Sequence, residues 1–184
     1  MSPHGRSPLR RVCVIGPECT GKTTLAQQLA ELADTECVFE AARAYAERVR
    51  RPLTESDVEP IAREHMAEAN AAARRARARQ RPTMVLDTDL MSTVVYARHY
   101  YGTAPDWLER EAIVRRAHVY LLCAVDLPWE PDGIRDRPTQ REGMFELFRD
   151  ELVMRGAEYV IIQGSGDARL TAAASVLEEI GAAR

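Results

Sequence analysis

The chain has 184 residues, 46% of them hydrophobic and 29% charged, with a formal net charge of −3. That length suits one domain around a single large core, and the charge balance argues against a general nucleic-acid or membrane binder. No segment reaches the ~18 apolar residues that a membrane span needs. Residues 1–10 carry no apolar signal region and read as a flexible tail ahead of a single domain over 11–184. Cys13, Cys19, Cys37 and Cys123 lack metal-ligand spacing, and three of them lie in or beside apolar strand candidates. They read as reduced thiols of a cytoplasmic protein.

The first element is a short β-branched run, Arg11-Val12-Cys13-Val14-Ile15, with the character of a buried strand. Gly16-Pro17-Glu18-Cys19-Thr20-Gly21-Lys22-Thr23 follows it and fits G-x-x-x-x-G-K-[ST]. A helix over 24–33 comes next, with Leu25, Leu29 and Leu32 on one face. Strand, glycine loop and helix form the setting in which this motif cradles phosphates. Backbone N–H groups and the positive helix end receive the anion. Gly16 and Gly21 permit the close approach, Lys22 supplies a mobile point charge, and the Thr23 hydroxyl is suited to Mg²⁺. Lys22 is the only lysine among the 25 lysine and arginine residues, and it stands where a compact ammonium is wanted rather than a planar guanidinium.

A second strand is expected over 35–40, ending in Glu40, and a helix over 41–50 stops before Pro52. Thr54-Glu55-Ser56-Asp57 resembles a capping box and opens a long helix reaching about residue 80, where Pro82 closes it. Its end carries Arg74, Arg75, Arg77, Arg79 and Arg81. Such a cluster is ordinarily a solvated helix end with cations suited to the C-terminal dipole; the other reading is an anionic partner. Met84-Val85-Leu86-Asp87 is a third strand, followed by helices over 90–101 and 105–116 parted by Gly102. A fourth strand over 119–123 leads into a loop over about 128–142 that is dense in Pro, Gly, Trp and Arg. A helix over 143–156 with Phe145, Leu147, Phe148 and Leu152, a fifth strand over 159–162 and a last helix to about residue 180 complete the chain.

Five apolar strands alternating with helices predict an α/β fold: a five-stranded parallel sheet with helices on both faces, of the P-loop NTPase/kinase type. Ligands should gather at the carboxyl ends of the strands, where Glu18, Glu40, Asp87 and Asp89 all fall. Asp87 closes an apolar strand, the position from which an acid holds the Mg²⁺ shell. Asp89 can reach a substrate hydroxyl or cap the next helix. Glu40 can accept a proton from a hydroxyl attacking a γ-phosphate, or stand as a surface glutamate. Arg43, one turn on, can pair with Glu40 or a phosphate. In the 128–142 loop, Arg135, Arg137 and Arg141 suit a lid that closes over phosphates, although neighbouring acids can tie up the first two. Trp129 offers a flat face for a ring or for packing.

These stretches resemble the nicotinamide riboside kinase domain of NadR-type proteins. The resemblance rests on Gly16-Pro17-Glu18-Cys19-Thr20-Gly21-Lys22-Thr23-Thr24-Leu25, Glu40-Ala41-Ala42-Arg43 and Asp87-Thr88-Asp89-Leu90. Pro128-Trp129-Glu130-Pro131-Asp132-Gly133-Ile134-Arg135-Asp136 and Arg141-Glu142-Gly143-Met144-Phe145 complete it. It implies transfer of the γ-phosphate of ATP to the 5′-hydroxyl of nicotinamide riboside, with ATP and Mg²⁺ required and a nucleoside-like small molecule as partner. It also implies that Gly16, Glu18, Cys19, Thr20, Gly21, Lys22, Thr23, Thr24 and Arg141 hold ATP, and that Thr23 and Asp87 serve the metal. Glu40, Arg43, Asp89 and Trp129 would then hold the acceptor, with Trp129 stacked on the pyridinium. Cys19 stands where that family carries serine, and NadR proteins usually carry this domain fused to an adenylyltransferase. The rival expectations are a kinase of another nucleoside or nucleotide, and a nucleotide-dependent switch that binds a protein or lipid partner.

Overall fold

A computed structural model describes residues 9–129 and 140–182. Five parallel strands, β1 (Arg10–Ile15), β2 (Cys37–Val38), β3 (Thr83–Asp87), β4 (Val119–Cys123) and β5 (Tyr159–Ile162), form one sheet in the order β2-β3-β1-β4-β5. The central strands are the ones read most plainly as apolar runs, because helices cover both of their faces. Side chains of β1 alternate between two cores. Val12 and Val14 join Val85, Leu121 and Cys123 under α1 (Lys22–Leu32) and α7 (Gly166–Ala182). Cys13 and Ile15 join Leu86, Tyr120 and Leu122 under α3 (Val58–Ala78), α4 (Leu90–Tyr101) and α6 (Arg141–Met154). A third cluster binds α3 and α4 to α5 (Asp106–Val114) through Val58, Ala62, Leu90, Val94, Ala97 and Leu108.

Several elements differ from the sequence expectation for local reasons. The strand expected over 35–40 narrows to two residues, and the ladder is extended by one bond from Val85 N to Glu36 O at 3.0 Å. Glu40 becomes the residue ahead of α2 (Ala41–Val49) rather than a strand end. In α1 the buried stripe is Leu25, Ala26, Leu29 and Ala30, while Leu32 is 62% exposed. Small alanines let that helix lie close on the sheet, and the stripe turns away before Leu32. In α6 the buried apolar positions are Met144, Phe148 and Leu152, four residues apart, and Leu147 lies outside the stripe. The capping box at Thr54 is present, but it closes a 3-10 turn (Glu55–Asp57) and α3 starts one residue later. Asp57 carries more than the cap: Arg51 donates to it from both terminal nitrogens, at 2.6 and 2.8 Å, and Tyr45 Oη at 3.1 Å. That ties α2 to the start of α3.

Candidate active site

The glycine loop leaves the end of β1 at the middle of the sheet, between β3 and β4. Gly16 has φ 140°, and a Cβ there would meet the Cys123 carbonyl at 3.0 Å, so β4 and the loop touch through bare backbone. Cys19 (φ 53°) and Gly21 (φ 73°) both lie in the left-handed region and curl the chain so that successive N–H groups can face inward. Helix α1 then starts at Lys22 with no side-chain cap and no acid in its first turn. Its first N–H groups, at Lys22, Thr23 and Thr24, are therefore open to an anionic ligand. Lys22 is buried, and its Nζ donates to Pro17 O at 2.6 Å; the Thr20 hydroxyl donates to the same carbonyl at 2.8 Å. The one lysine of the chain is folded over its own loop.

Two arginines brace this loop from outside. Arg169 on α7 donates to Thr20 O (2.8 Å), Gly164 O (2.7 Å) and Asp126 Oδ1 (2.8 Å), while Gly164 N donates to Asp126 Oδ2 at 2.6 Å. The loop is thus coupled to the ends of β4 and β5. Arg141, the first residue of α6, donates to Cys19 O (3.2 Å) and Leu127 O (3.0 Å), and its guanidinium lies 5.7 Å from the Trp129 ring centroid. Arg141, expected from the sequence to hold ATP, here meets the carbonyls of Cys19 and Leu127. Arg169 is a residue that reading the sequence missed; it stands 149 positions from Thr20, and no local pattern marks it. Arg135 and Arg137, and most of the expected lid over 128–142, lie outside the described residues.

At the end of β3, Asp87 is fully buried and pairs in register with Val14 of β1. Thr88 adopts φ 65°, an uncommon conformation for a β-branched residue, and its N–H donates to Val14 O at 3.0 Å. That turn separates the two acids. Asp89 becomes the N-cap of α4: Oδ1 accepts from Met91 N (2.9 Å) and Ser92 N (3.4 Å), and Oδ2 accepts from Tyr120 Oη (2.7 Å). Burial pushes its carboxyl up to about 6, against the pull of Tyr120 and the two backbone amides. Of the two sequence readings of Asp89, the geometry draws the helix cap.

Facing the loop is a cleft of about 870 Å³ between α2, α3 and α4. Glu18, Glu40, Arg43, Asp89, Tyr96 and Tyr100 are among its walls. Arg43 donates to Glu47 at 3.2 Å, and Arg51, also on the wall, to Asp57. Tyr96 and Tyr100 stack with centroids 6.0 Å apart and planes at 8°. Their i, i+4 spacing on α4 is a signal the sequence did carry. Trp129 is not among the described residues that line this cleft; it lies beside Arg141 on the loop side.

The residues present suit Mg²⁺. Among the described residues no group of three His, Cys, Asp or Glu side chains gathers as a metal cage. Mg²⁺ does not need one, since it is held through one or two protein oxygens with phosphates and water completing the shell. A hydroxyl at Thr23 and a carboxylate at Asp87 are donors of that kind.

The central glycine loop, the parallel sheet and the facing cleft define a P-loop protein with a nucleoside/nucleotide-kinase-like fold. The chain belongs to the AAA-domain family, whose profile matches residues 11–169. The resemblance to NadR extends to the fold. NadR in complex with NR superposes with a TM-score of 0.76 at 22% identity, over 95% of this chain and 51% of that one. NadR in complex with NAD and AMP-PNP gives 0.70 at 25% identity, over 92% and 49%. Thymidylate kinase from Ehrlichia chaffeensis gives 0.65 at 16% identity, over 92% and 99%. The chain spans about half the length of the NadR chains it matches. A search of proteins with curated functions returns no match. No helix among the described residues is long and apolar enough to cross a membrane.

Proposed function

We propose that the chain is a Mg²⁺- and ATP-dependent kinase that phosphorylates the 5′-hydroxyl of nicotinamide riboside. The observation that carries this reading is the cleft facing the phosphate loop, walled by Glu18, Glu40 and the stacked Tyr96–Tyr100 pair. Nicotinamide riboside is a nucleoside with a cationic ring and no phosphate. Carboxylates and aromatic faces are what such a ring seeks. A nucleotide acceptor would want uncommitted cations, and of the three arginines on the wall, Arg43, Arg50 and Arg51, the first and last are each held by a carboxylate. The resemblance to NadR, one structure of which holds NR, supports the same acceptor.

In this reading the N–H groups of the 16–24 segment cradle the β- and γ-phosphates of ATP, and Lys22 exchanges Pro17 O for phosphate oxygens. Arg141 and Arg169 keep the loop backbone in shape through the Cys19 and Thr20 carbonyls. Thr23 and Asp87 would hold Mg²⁺, which when bound neutralises charge on the β- and γ-oxygens. Glu40 takes the proton of the attacking hydroxyl, because both oxygens of Asp89 are already engaged by α4 and Tyr120. Stacking on the pyridinium passes from Trp129 to Tyr96 and Tyr100.

The test is a set of acceptors at fixed Mg-ATP: nicotinamide riboside, thymidine, cytidine and thymidine monophosphate. Nicotinamide riboside is expected to have the highest kcat/KM by tenfold or more, the ~1.4 kcal/mol or more that one good charged contact supplies. A preference for thymidine monophosphate would overturn the acceptor assignment in favour of a nucleotide kinase.

A further inference from the structure

The arginines at the end of α3 divide into two sets. Arg75 pairs with Glu36 and Glu68, Arg79 with Asp34 and Glu36, and Arg81 with Asp34. Among the described residues, no carboxylate holds Arg74 or Arg77. Those two lie on another face of the helix, where they line a cavity of about 210 Å³ between α3 and α5, together with Arg11 of β1 and Arg115 beyond α5. Arg11 spends one terminal nitrogen on the Arg115 carbonyl at 2.8 Å, and Arg115 is itself held by Glu111 and by Asn70 Oδ1 at 3.0 Å. The one carboxylate in the cavity wall, Asp89, is committed to Tyr120 and the cap of α4. Arginines from four positions therefore line a space whose wall carries, among the described residues, the one committed carboxylate of Asp89, with Glu111 holding Arg115 from outside it. Burial lowers the Arg11 pKa, and the neighbouring cations Arg115 and Arg77 lower it further, as expected of like charges held together.

We propose that this cavity is a second anion site, built for a small phosphate-bearing molecule such as pyrophosphate or a phosphomonoester. Guanidinium forks match phosphate oxygens in pairs, and Arg74 and Arg77 together with the remaining donors of Arg11 suit a multiply charged anion better than a single carboxylate. The volume falls below the ~300–1,000 Å³ of sites that enclose drug-sized ligands, so the occupant is small. Met66, Leu86 and Leu90 form an apolar wall that excludes water on one side. The site is placed to act on the cleft facing the phosphate loop: His65 and Asp89 line both spaces, and Asp89 caps the helix that carries Tyr96 and Tyr100. This assignment stands apart from the identity of the phosphoryl acceptor.

The test is calorimetric titration of the protein with pyrophosphate at low ionic strength. Wild type is expected to bind two equivalents, one at the glycine loop and one between α3 and α5. Lys22→Ala should weaken the first, and Arg74→Glu/Arg77→Glu should weaken the second by tenfold or more while sparing the first. In the combined variant both should be weak. Arg74 and Arg77 are exposed, so reversal should spare the fold; if it does not, Arg74→Gln/Arg77→Gln gives the same comparison. A single equivalent governed by Lys22 alone, or arginine variants within twofold of wild type, would overturn the site. Duplex DNA binding that disappears in the arginine variants while pyrophosphate binding is unchanged would also overturn it, in favour of an extended polyanion surface.

Discussion

Asp87→Asn is expected to lower kcat by about a hundredfold or more, while Asp89→Asn lowers it by less than about tenfold. The two acids stand two residues apart, yet Thr88 at φ 65° sends them to different tasks. Asp87 stays at the end of β3, fully buried beside the phosphate-loop strand, where a charged oxygen can serve the metal. Asparagine there keeps the shape and loses the charge. Asp89 accepts bonds from Met91 N, Ser92 N and Tyr120 Oη, and asparagine caps a helix about as well as aspartate does. The check is kcat at saturating Mg-ATP and acceptor for both variants, with Mg²⁺ titrated. Asp87→Asn should also raise the Mg²⁺ requirement. Equal losses at the two positions, or a larger one at Asp89, would return the substrate or metal role to Asp89.

Glu151→Ala should cost about 3–5 kcal/mol of stability, as much as emptying a core site. Glu151 is buried on α6 and accepts from Arg155 Nε at 2.5 Å and Arg98 Nη1 at 2.7 Å. Glu109 on α5 closes the square by accepting from Arg98 at 2.6 Å and Arg155 at 3.1 Å. Removing Glu151 leaves two guanidinium groups on one remaining carboxylate, with the Arg155 side chain only 8% exposed. Breaking one member of a buried charge network is costly because the partner charges stay desolvated. Replacing both Glu151 and Arg155 by leucine should cost less than Glu151→Ala alone. Urea denaturation of the three proteins decides this; a Glu151→Ala loss below about 1 kcal/mol would show that the network is solvated in practice. The square also anchors α4, so its loss should loosen the wall that carries Tyr96 and Tyr100.

What could be read in the sequence was local. The 16–23 segment declares itself because its chemistry needs fixed residue types at fixed spacing, and the structure places that loop at the centre of the sheet. Strands β1, β3 and β4 were plain because burial on both faces makes their inner positions, 12–15, 84–86 and 119–123, an unbroken run without charge. The edge strands were blurred: only two residues of β2 pair, and Val160 and Ile161 of β5 are partly exposed. Helix faces were half legible. Leu32 and Leu147 fit an apolar period but lie beyond the stripe that the sheet covers, while Ala26 and Ala30, too small to draw notice, lie inside it. Asp89 was ambiguous because an acid just after a strand suits a substrate or a helix cap equally well; the backbone turn at Thr88 favours the cap. The Arg169 brace and the Arg98–Glu151 contact join residues 149 and 53 positions apart, and no periodicity encodes such a meeting.

The central claim is that this fold transfers the γ-phosphoryl group of ATP to a nucleoside hydroxyl. The most direct measurement incubates the purified protein with Mg-ATP, with and without nicotinamide riboside, and identifies the products by mass, with Lys22→Ala run in parallel. The expected result is ADP and nicotinamide mononucleotide in equal amounts, dependent on the riboside and reduced by a hundredfold or more in Lys22→Ala. ATP turned over to ADP and free phosphate with no phosphorylated nucleoside, or a Lys22→Ala variant as active as wild type, would contradict it.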